Sequence, residues 1–262
     1  MIIAPLCSSS KANATFVGSR SAGILIDIGC SYKALRENLA ICEIPLSAIK
    51  AILLTHEHSD HVGGLRVFSK NHDVPIYASF GTGRMVCGKG LVSNSDNLFG
   101  IDRLKDIPLD FEISAFDTPH DAAGSNGYII KRDSSKIAYM TDLGEITPGV
   151  KEATLGSNFV FIESNYEPEM LKLNVDYPLK TKERIRSKLG HLSNIDSADY
   201  IAKLVKNGAT RIVLGHLSEN NNTPQLAFSR VVHRLTHDGM RLNYDYTLDV
   251  AGVRTNGECI AV

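Results

Sequence analysis

Residues 51–64 read Ala-Ile-Leu-Leu-Thr-His-Glu-His-Ser-Asp-His-Val-Gly-Gly, and this stretch governs how the rest of the chain is read. It opens as a compact apolar run over 51–55, of the kind a buried strand needs. Six residues follow, His56-Glu57-His58-Ser59-Asp60-His61, with His56, His58, Asp60 and His61 able to hold a metal. In extended chain, residues two apart point the same way, so His56 and His58 reach one ion together. Asp60 and His61 come after the chain has begun to turn, and point to a second position nearby. Gly63 and Gly64 let the backbone turn closely into a helix predicted over 62–70. Imidazole and carboxylate are the donors expected for zinc, manganese or iron. The competing reading is a solvated polar loop with chance histidines; the buried-strand context and the spacing argue against it.

Working outward, further strands are predicted over 14–17, 24–28, 74–78, 111–116, 127–131, 136–141, 159–163 and 211–214. Just beyond three of them stand His120, Asp142 and His216. Loops at strand ends are where sites gather on a rigid scaffold. Helices are predicted over 31–41, 180–189 and 194–206. Another starts at Thr223-Pro224, with Thr as cap and Pro in the first helical position. Residues 90–110 carry no clear pattern. Strands and helices are mixed rather than strictly alternating. That argues against a TIM barrel or a simple doubly wound sheet and fits an α/β (α+β) fold of two mixed sheets covered by helices. No composition break marks a linker, so one domain over residues 1–262 is expected.

With 28 basic and 29 acidic residues, the chain is not held on nucleic acid by bulk charge, although a local basic groove stays open. Cys7, Cys30, Cys42, Cys87 and Cys259 show no C-x-x-C spacing and read as free thiols in a reducing compartment. No leader-like start and no run near the ~18 apolar residues of a membrane span is present, so a soluble cytoplasmic protein without membrane association is expected. No protein partner is inferred. His72, His233 and His237 lack the strand-end placement and read as surface or packing histidines.

The pattern His-x-His-x-Asp-His at 56–61, followed by His120, Asp142 and His216, resembles the metallo-β-lactamase superfamily. The resemblance implies an αββα four-layer sandwich with metals at one edge of two sheets. It implies one metal on His56, His58 and His120, a second on Asp60, His61 and His216, and Asp142 bridging both. Residues 8–15, Thr141-Asp142-Leu143-Gly144, Glu163-Ser164-Asn165-Tyr166-Glu167 and Gly190-His191-Leu192-Ser193-Asn194 resemble the YycJ/WalJ-type branch, as do residues 214–224. Members of that branch are stand-alone proteins regarded as DNA exonucleases. The first segment departs from the branch at Ser9 and Ala12, where glycines are usual, close to Asn13.

The cofactors implied are two divalent ions, zinc or manganese ahead of iron. With Asp60 and Asp142 they leave a charge of about +2, which attracts phosphate and draws the pKa of bridging water toward ~7. The reaction implied is phosphodiester hydrolysis by a metal-bridging hydroxide, with Asp60 orienting it and His191 protonating the leaving group. His191 as an ordinary loop residue before a helix is the alternative. Asn13, Asn165, Tyr166, Ser193 and Asn194 are candidate substrate contacts. Ser193 reads as a helix cap with Asp196 three residues on, and a helix N-terminus suits phosphate. Glu163 and Tyr166 stand either behind the ligands or against substrate. Lys180, Arg184 and Lys188, spaced by four, make either a track for a nucleic-acid backbone or a solvated helix face. The expected partner is nucleic acid, with DNA as substrate. A small-molecule acyl hydrolase, lactonase or thioesterase, is the competing function. Redox relatives place Glu where His58 stands, and secreted β-lactamases place Cys where Asp142 stands.

Overall fold

Short apolar runs rich in Ile, Val and Leu become strands in the computed structural model, which describes residues 1–262. In the first half run β1 (Ile2–Ser9), β2 (Ala12–Gly18), β3 (Gly23–Ile26), α1 (Tyr32–Ile41), β4 (Ile49–Leu53), α2 (Ser59–Val62), α3 (Leu65–Asn71), β5 (Ile76–Ala78), α4 (Phe80–Gly88) and β6 (Leu98–Gly100). Next come β7 (Glu112–Asp117), β8 (Asn126–Arg132), β9 (Ser135–Met140), α5 (Pro148–Thr154), β10 (Phe159–Glu163), α6 (Pro168–Leu173) and α7 (Leu179–Arg186). The last elements are α8 (Asn194–Lys206), β11 (Arg211–Gly215), α9 (Pro224–His237), β12 (Thr247–Val250) and β13 (Ile260–Ala261).

The chain divides into two units. The first comprises Met1–Ala115, Ala122–Asn126 and Ala251–Val262. Its sheet is ordered β13-β1-β2-β3-β4-β5-β6, antiparallel as far as β3 and parallel from there. Leu35 and Leu39 of α1, Leu65 and Phe68 of α3 and Val86 of α4 pack with Leu6, Phe16, Leu25 and Ile52 of the strands. Each such side chain contributes roughly 1.5–3 kcal/mol on burial.

The second unit comprises Phe116–Asp121 and Gly127–Val250. Strands β12, β11, β10 and β9 lie parallel and β8 pairs antiparallel with β9; β7, beyond β8, straddles the division between the units. Val160, Ile162, Ile212 and Leu214 pack with Ile201 and Leu204 of α8 and Val231 and Leu235 of α9. The five residues of β10 are all buried, as expected of a central parallel strand.

The α/β class with two mixed sheets is as expected, and most predicted strands recur within a residue or two. Several boundaries differ. The helix predicted over 62–70 is two helices, because the chain turns at Gly63 and Gly64. A Cβ on Gly64 would lie 2.2 Å from the Cys30 carbonyl oxygen, which explains the residue chosen there. The strand predicted over 24–28 stops at Ile26, because Asp27 takes φ 61°. The helix predicted over 180–189 stops at Arg186, so Lys188 leaves the expected basic face. Within 90–110 the chain forms β6 and short 3-10 turns at Ser95–Asn97 and Ile101–Asp106. Strand β1 had no expectation, since Pro5 and Ser8-Ser9 blur its pattern; a bulge between Pro5 and Cys7 accommodates the proline. No helix is long and apolar enough to cross a membrane.

Candidate metal centre

In the first unit, β4 delivers the six-residue motif into a short loop. The rings of His56 and His58 lie 4.5 Å apart, and those of His56 and His61 lie 4.2 Å apart. Asp60 Oδ2 is 3.3 Å from His61 Nε2. The four expected ligands of this segment therefore converge within one unit. Gly29 makes that possible: a Cβ on it would stand 1.7 Å from the Asp60 carbonyl oxygen. The backbone bonds Ile28 N to His61 O and Gly64 N to Ile28 O, both 2.8 Å, seat the loop on the end of β3.

Asp27 was not foreseen. It is fully buried, and His61 Nδ1 donates to its Oδ2 at 2.7 Å. Thr55 donates to it from N and from Oγ1, both at 2.8 Å. Burial pushes the Asp27 carboxyl up, against the pull of His61 and the Thr55 hydrogen bonds. This contact sets the Nδ1–H tautomer of His61, so its lone pair is on Nε2, the nitrogen that faces Asp60 Oδ2 and Asn13 Nδ2. The only sequence signal was an Asp just past a predicted apolar strand. Asn13, an expected substrate contact, is buried; its Nδ2 donates to Ser9 O at 2.9 Å and lies 3.2 Å from His61 Nε2. Glu57 is no ligand: it accepts from Ala123 N at 2.8 Å, and Thr82 Oγ1 lies 3.3 Å from its other oxygen.

In the second unit, His120, Asp142, Glu163, His191 and His216 come together from five separate segments. Asp142 Oδ1 is 3.6 Å from His120 Nε2, 3.6 Å from His191 Nδ1 and 3.3 Å from His216 Nδ1. His120 Nδ1 donates to Gly190 O at 3.0 Å, which turns Nε2 toward Asp142. Burial holds the His120 imidazole below its usual range, against the attraction of Asp142. Asp142 and His216 follow their strands with φ 56° and 54°, as Asp27 does after β3. This left-handed backbone is costly for non-glycine residues and persists where surrounding structure over-determines it.

Glu163 ends β10 and is wholly buried. Its Oε1 accepts from His191 Nδ1 at 2.8 Å and from His216 Nδ1 at 2.7 Å. Its Oε2 accepts from Leu192 N at 3.0 Å and from Leu143 N at 3.3 Å. Burial acts to raise this carboxyl, but His191 and His216 outweigh it and hold it below the ordinary range. Both histidines thus carry hydrogen on Nδ1 and present Nε2. Nitrogen and carboxylate donors converge in each unit, and each buried imidazole that a carboxylate orients is a donor set suited to zinc or manganese.

The remaining expected contacts are differently placed. Asn165 donates to His216 O at 2.8 Å. Asn194 is occupied internally, with Ser164, Glu167 and Asn222. Ser193 caps α8 as predicted, accepting from Asp196 N and donating to the Asp196 carboxylate. Tyr166 pairs with Ser193 in a β-bridge, and burial pushes its hydroxyl up to about 12. On α7, Arg184 is held by Asp121, Nη2 donating at 2.9 Å, while Lys188 pairs with Glu145 at 3.3 Å. His72 accepts or donates to Tyr32 Oη at 2.7 Å, in a packing role.

A family model for the beta-lactamase superfamily domain matches residues 23–217, which run through both units. The chain belongs to this superfamily. Among its superfamily relatives, exodeoxyribonuclease YycJ of Bacillus anthracis is 34% identical over 238 residues, 89% of each chain. Exodeoxyribonuclease WalJ of Streptococcus pneumoniae serotype 2 is 30% identical over 246 residues, 92% of this chain and 90% of the relative. Zn(2+)-bound PqqB from Methylobacterium extorquens matches with a TM-score of 0.72 at 16% identity over all of both chains. The metallo-β-lactamase fold protein YhfI from Bacillus subtilis matches with a TM-score of 0.66 at 15% identity over 97% of both. The resemblance to this superfamily and to its YycJ/WalJ branch therefore stands, as does the fold class.

Proposed function

We propose that this superfamily hydrolase is a binuclear phosphodiesterase that removes nucleotides from DNA ends. Glu163 carries the reading: one of its oxygens orients both His216, a ligand, and His191, a proton donor. The alkoxide that leaves a phosphodiester needs such a proton donor, whereas the thiolate of a thioester leaves without one. The names of the YycJ and WalJ relatives point the same way. In this reading residues 1–262 act as one domain.

In this reading His56, His58 and His120 would hold one zinc or manganese ion. Asp60, His61 and His216 would hold the second, with Asp142 serving both. Bound divalent ions would acidify water and neutralise phosphate charge. Asp60, one-fifth exposed at its side chain, orients the attacking water through its outer oxygen. His191 gives the leaving oxygen a proton from Nε2, while Glu163 stabilises the positive ring through Nδ1. Asn13, Asn165, Tyr166, Ser193 and Asn194 shape the surroundings, Asn13 from beside His61 and Asn165 from beneath His216. The free cysteines suit a reducing cytoplasm.

The test is a paired assay with zinc or manganese supplied. End-labelled DNA should be degraded, while lactones and thioesters stay intact. Turnover of the small substrates with inert DNA would replace this reading with the acyl-hydrolase one.

A further inference from the structure

The first turn of α4 presents an unusual surface. Phe80 is 81% exposed, although its backbone is tightly fixed. Ser79 Oγ donates to Gly124 O at 2.7 Å and accepts from Thr82 N at 3.2 Å. A Cβ on Gly81 would stand 2.0 Å from the Ala123 carbonyl oxygen, so the helix start is pressed onto this loop. Thr82 Oγ1 lies 3.1 Å from Gly124 O and 3.3 Å from Glu57 Oε2, and Ala123 N donates to Glu57 Oε1 at 2.8 Å. Glu57 stands between His56 and His58. The Phe80 ring is therefore indexed to the histidine motif through a short rigid chain of contacts. Two helical residues plus two side chains put it on the order of 10 Å away.

The surroundings are cationic. The Arg84 guanidinium lies over the Phe80 ring, 5.9 Å from its centroid. Lys89 Nζ donates to Glu57 O at 3.4 Å, and Arg66 Nη2 donates to Lys89 O at 2.7 Å. Residues 79–90 contain Arg84 and Lys89 and no acidic side chain. An exposed aromatic on a fixed backbone, with one cation against its ring and another at the end of the same helix, is the arrangement on which single-stranded nucleic acids stack their bases while cations track the phosphates.

We propose that Phe80 is a stacking platform for a base of the single DNA strand entering the site, with Arg84 and Lys89 on its phosphates. The proposal rests on the nuclease reading above.

The chain has no tryptophan, so Phe80→Trp installs a single fluorophore on the platform. In an Asp60→Ala background, which prevents digestion, a ten-nucleotide DNA strand should quench its emission. An abasic strand of the same length should not. Tyr244→Trp is the control, an exposed aromatic 3.7 Å from Arg241 in the second unit, and neither strand should quench it. In active protein, Phe80→Ala should raise KM for single-stranded DNA roughly five- to tenfold with kcat within about twofold, and Phe80→Tyr should restore it. Equal quenching by both strands would overturn the platform. So would an unquenched Phe80→Trp emission while wild-type protein still digests DNA, and that outcome leaves the nuclease reading intact. Wild-type protein inert toward DNA would remove both.

Discussion

Asp27 accepts a hydrogen bond from His61 at 2.7 Å, with both side chains wholly buried and 34 residues apart in sequence. The carboxylate decides which nitrogen of His61 faces the ligand position. Asp27→Ala leaves the ring unanchored and the two Thr55 donors unmatched. Metal affinity should fall about 10–100-fold, as is usual when a group orienting a ligand is lost. Each buried donor left unmatched should also cost about 1–3 kcal/mol of stability. Zinc titration calorimetry and urea unfolding measure the two; wild-type zinc affinity in the variant would refute the orienting role.

Gly29 is a steric requirement of the same loop. Its missing Cβ would sit 1.7 Å from the Asp60 carbonyl oxygen and 2.7 Å from the Asn13 backbone nitrogen. Gly29→Ala must displace the motif bearing Asp60 and His61. We expect metal content after purification to drop severalfold, while helical content by circular dichroism is kept. Full metal occupancy in this variant would show that the loop yields without cost.

Glu163 and His191 separate by kinetics. His191→Ala should lower kcat about 10²–10⁴-fold with metal content unchanged, as for loss of a proton donor. Glu163→Gln touches His191 and His216 together, so it should lower kcat and also weaken metal binding about 10–100-fold. If His191→Ala loses metal to the same extent as Glu163→Gln, His191 is a ligand and the assigned division of roles fails.

Glu167 gives a pH signature. Burial acts to raise its carboxyl, but Arg230 and Asn194 hold it below the usual range. Arg230 donates to it at 2.6 Å and 3.1 Å. A depressed carboxyl contributes stability above its unfolded value, about 4.5, and loses that contribution as pH falls below it. Arg230→Ala should therefore lower the melting temperature at pH 7 by a few degrees, less at pH 4 and least at pH 3. Arg230 is half-exposed, which keeps the effect modest. A gap that widens on acidification would contradict the assignment.

Much of the candidate site was legible because its spacing is local. His56 and His58 lie two apart after a strand, and Asp60 and His61 follow within one turn. Strand endings before His120, Asp142 and His216 were visible because buried parallel strands are short unbroken apolar runs. The cap at Ser193 was visible for the same local reason. Elements without a clean period were not: β1, broken by Pro5, and β6, three residues long, take their form from the strands beside them. The basic face expected over Lys180, Arg184 and Lys188 dissolved because α7 ends at Arg186.

The chain alone thus determined the family, the candidate ligands and much of the succession of strands and helices, since these depend on neighbours in sequence. Tertiary structure decided which carboxylates govern the histidines. Asp27 meets His61 across 34 positions, and Glu163 meets His191 across 28 and His216 across 53. An aspartate or glutamate after an apolar run looks the same whether it faces solvent or an imidazole. Only strand register, and the left-handed turns at Asp27, Asp142 and His216, bring these groups within hydrogen-bond reach.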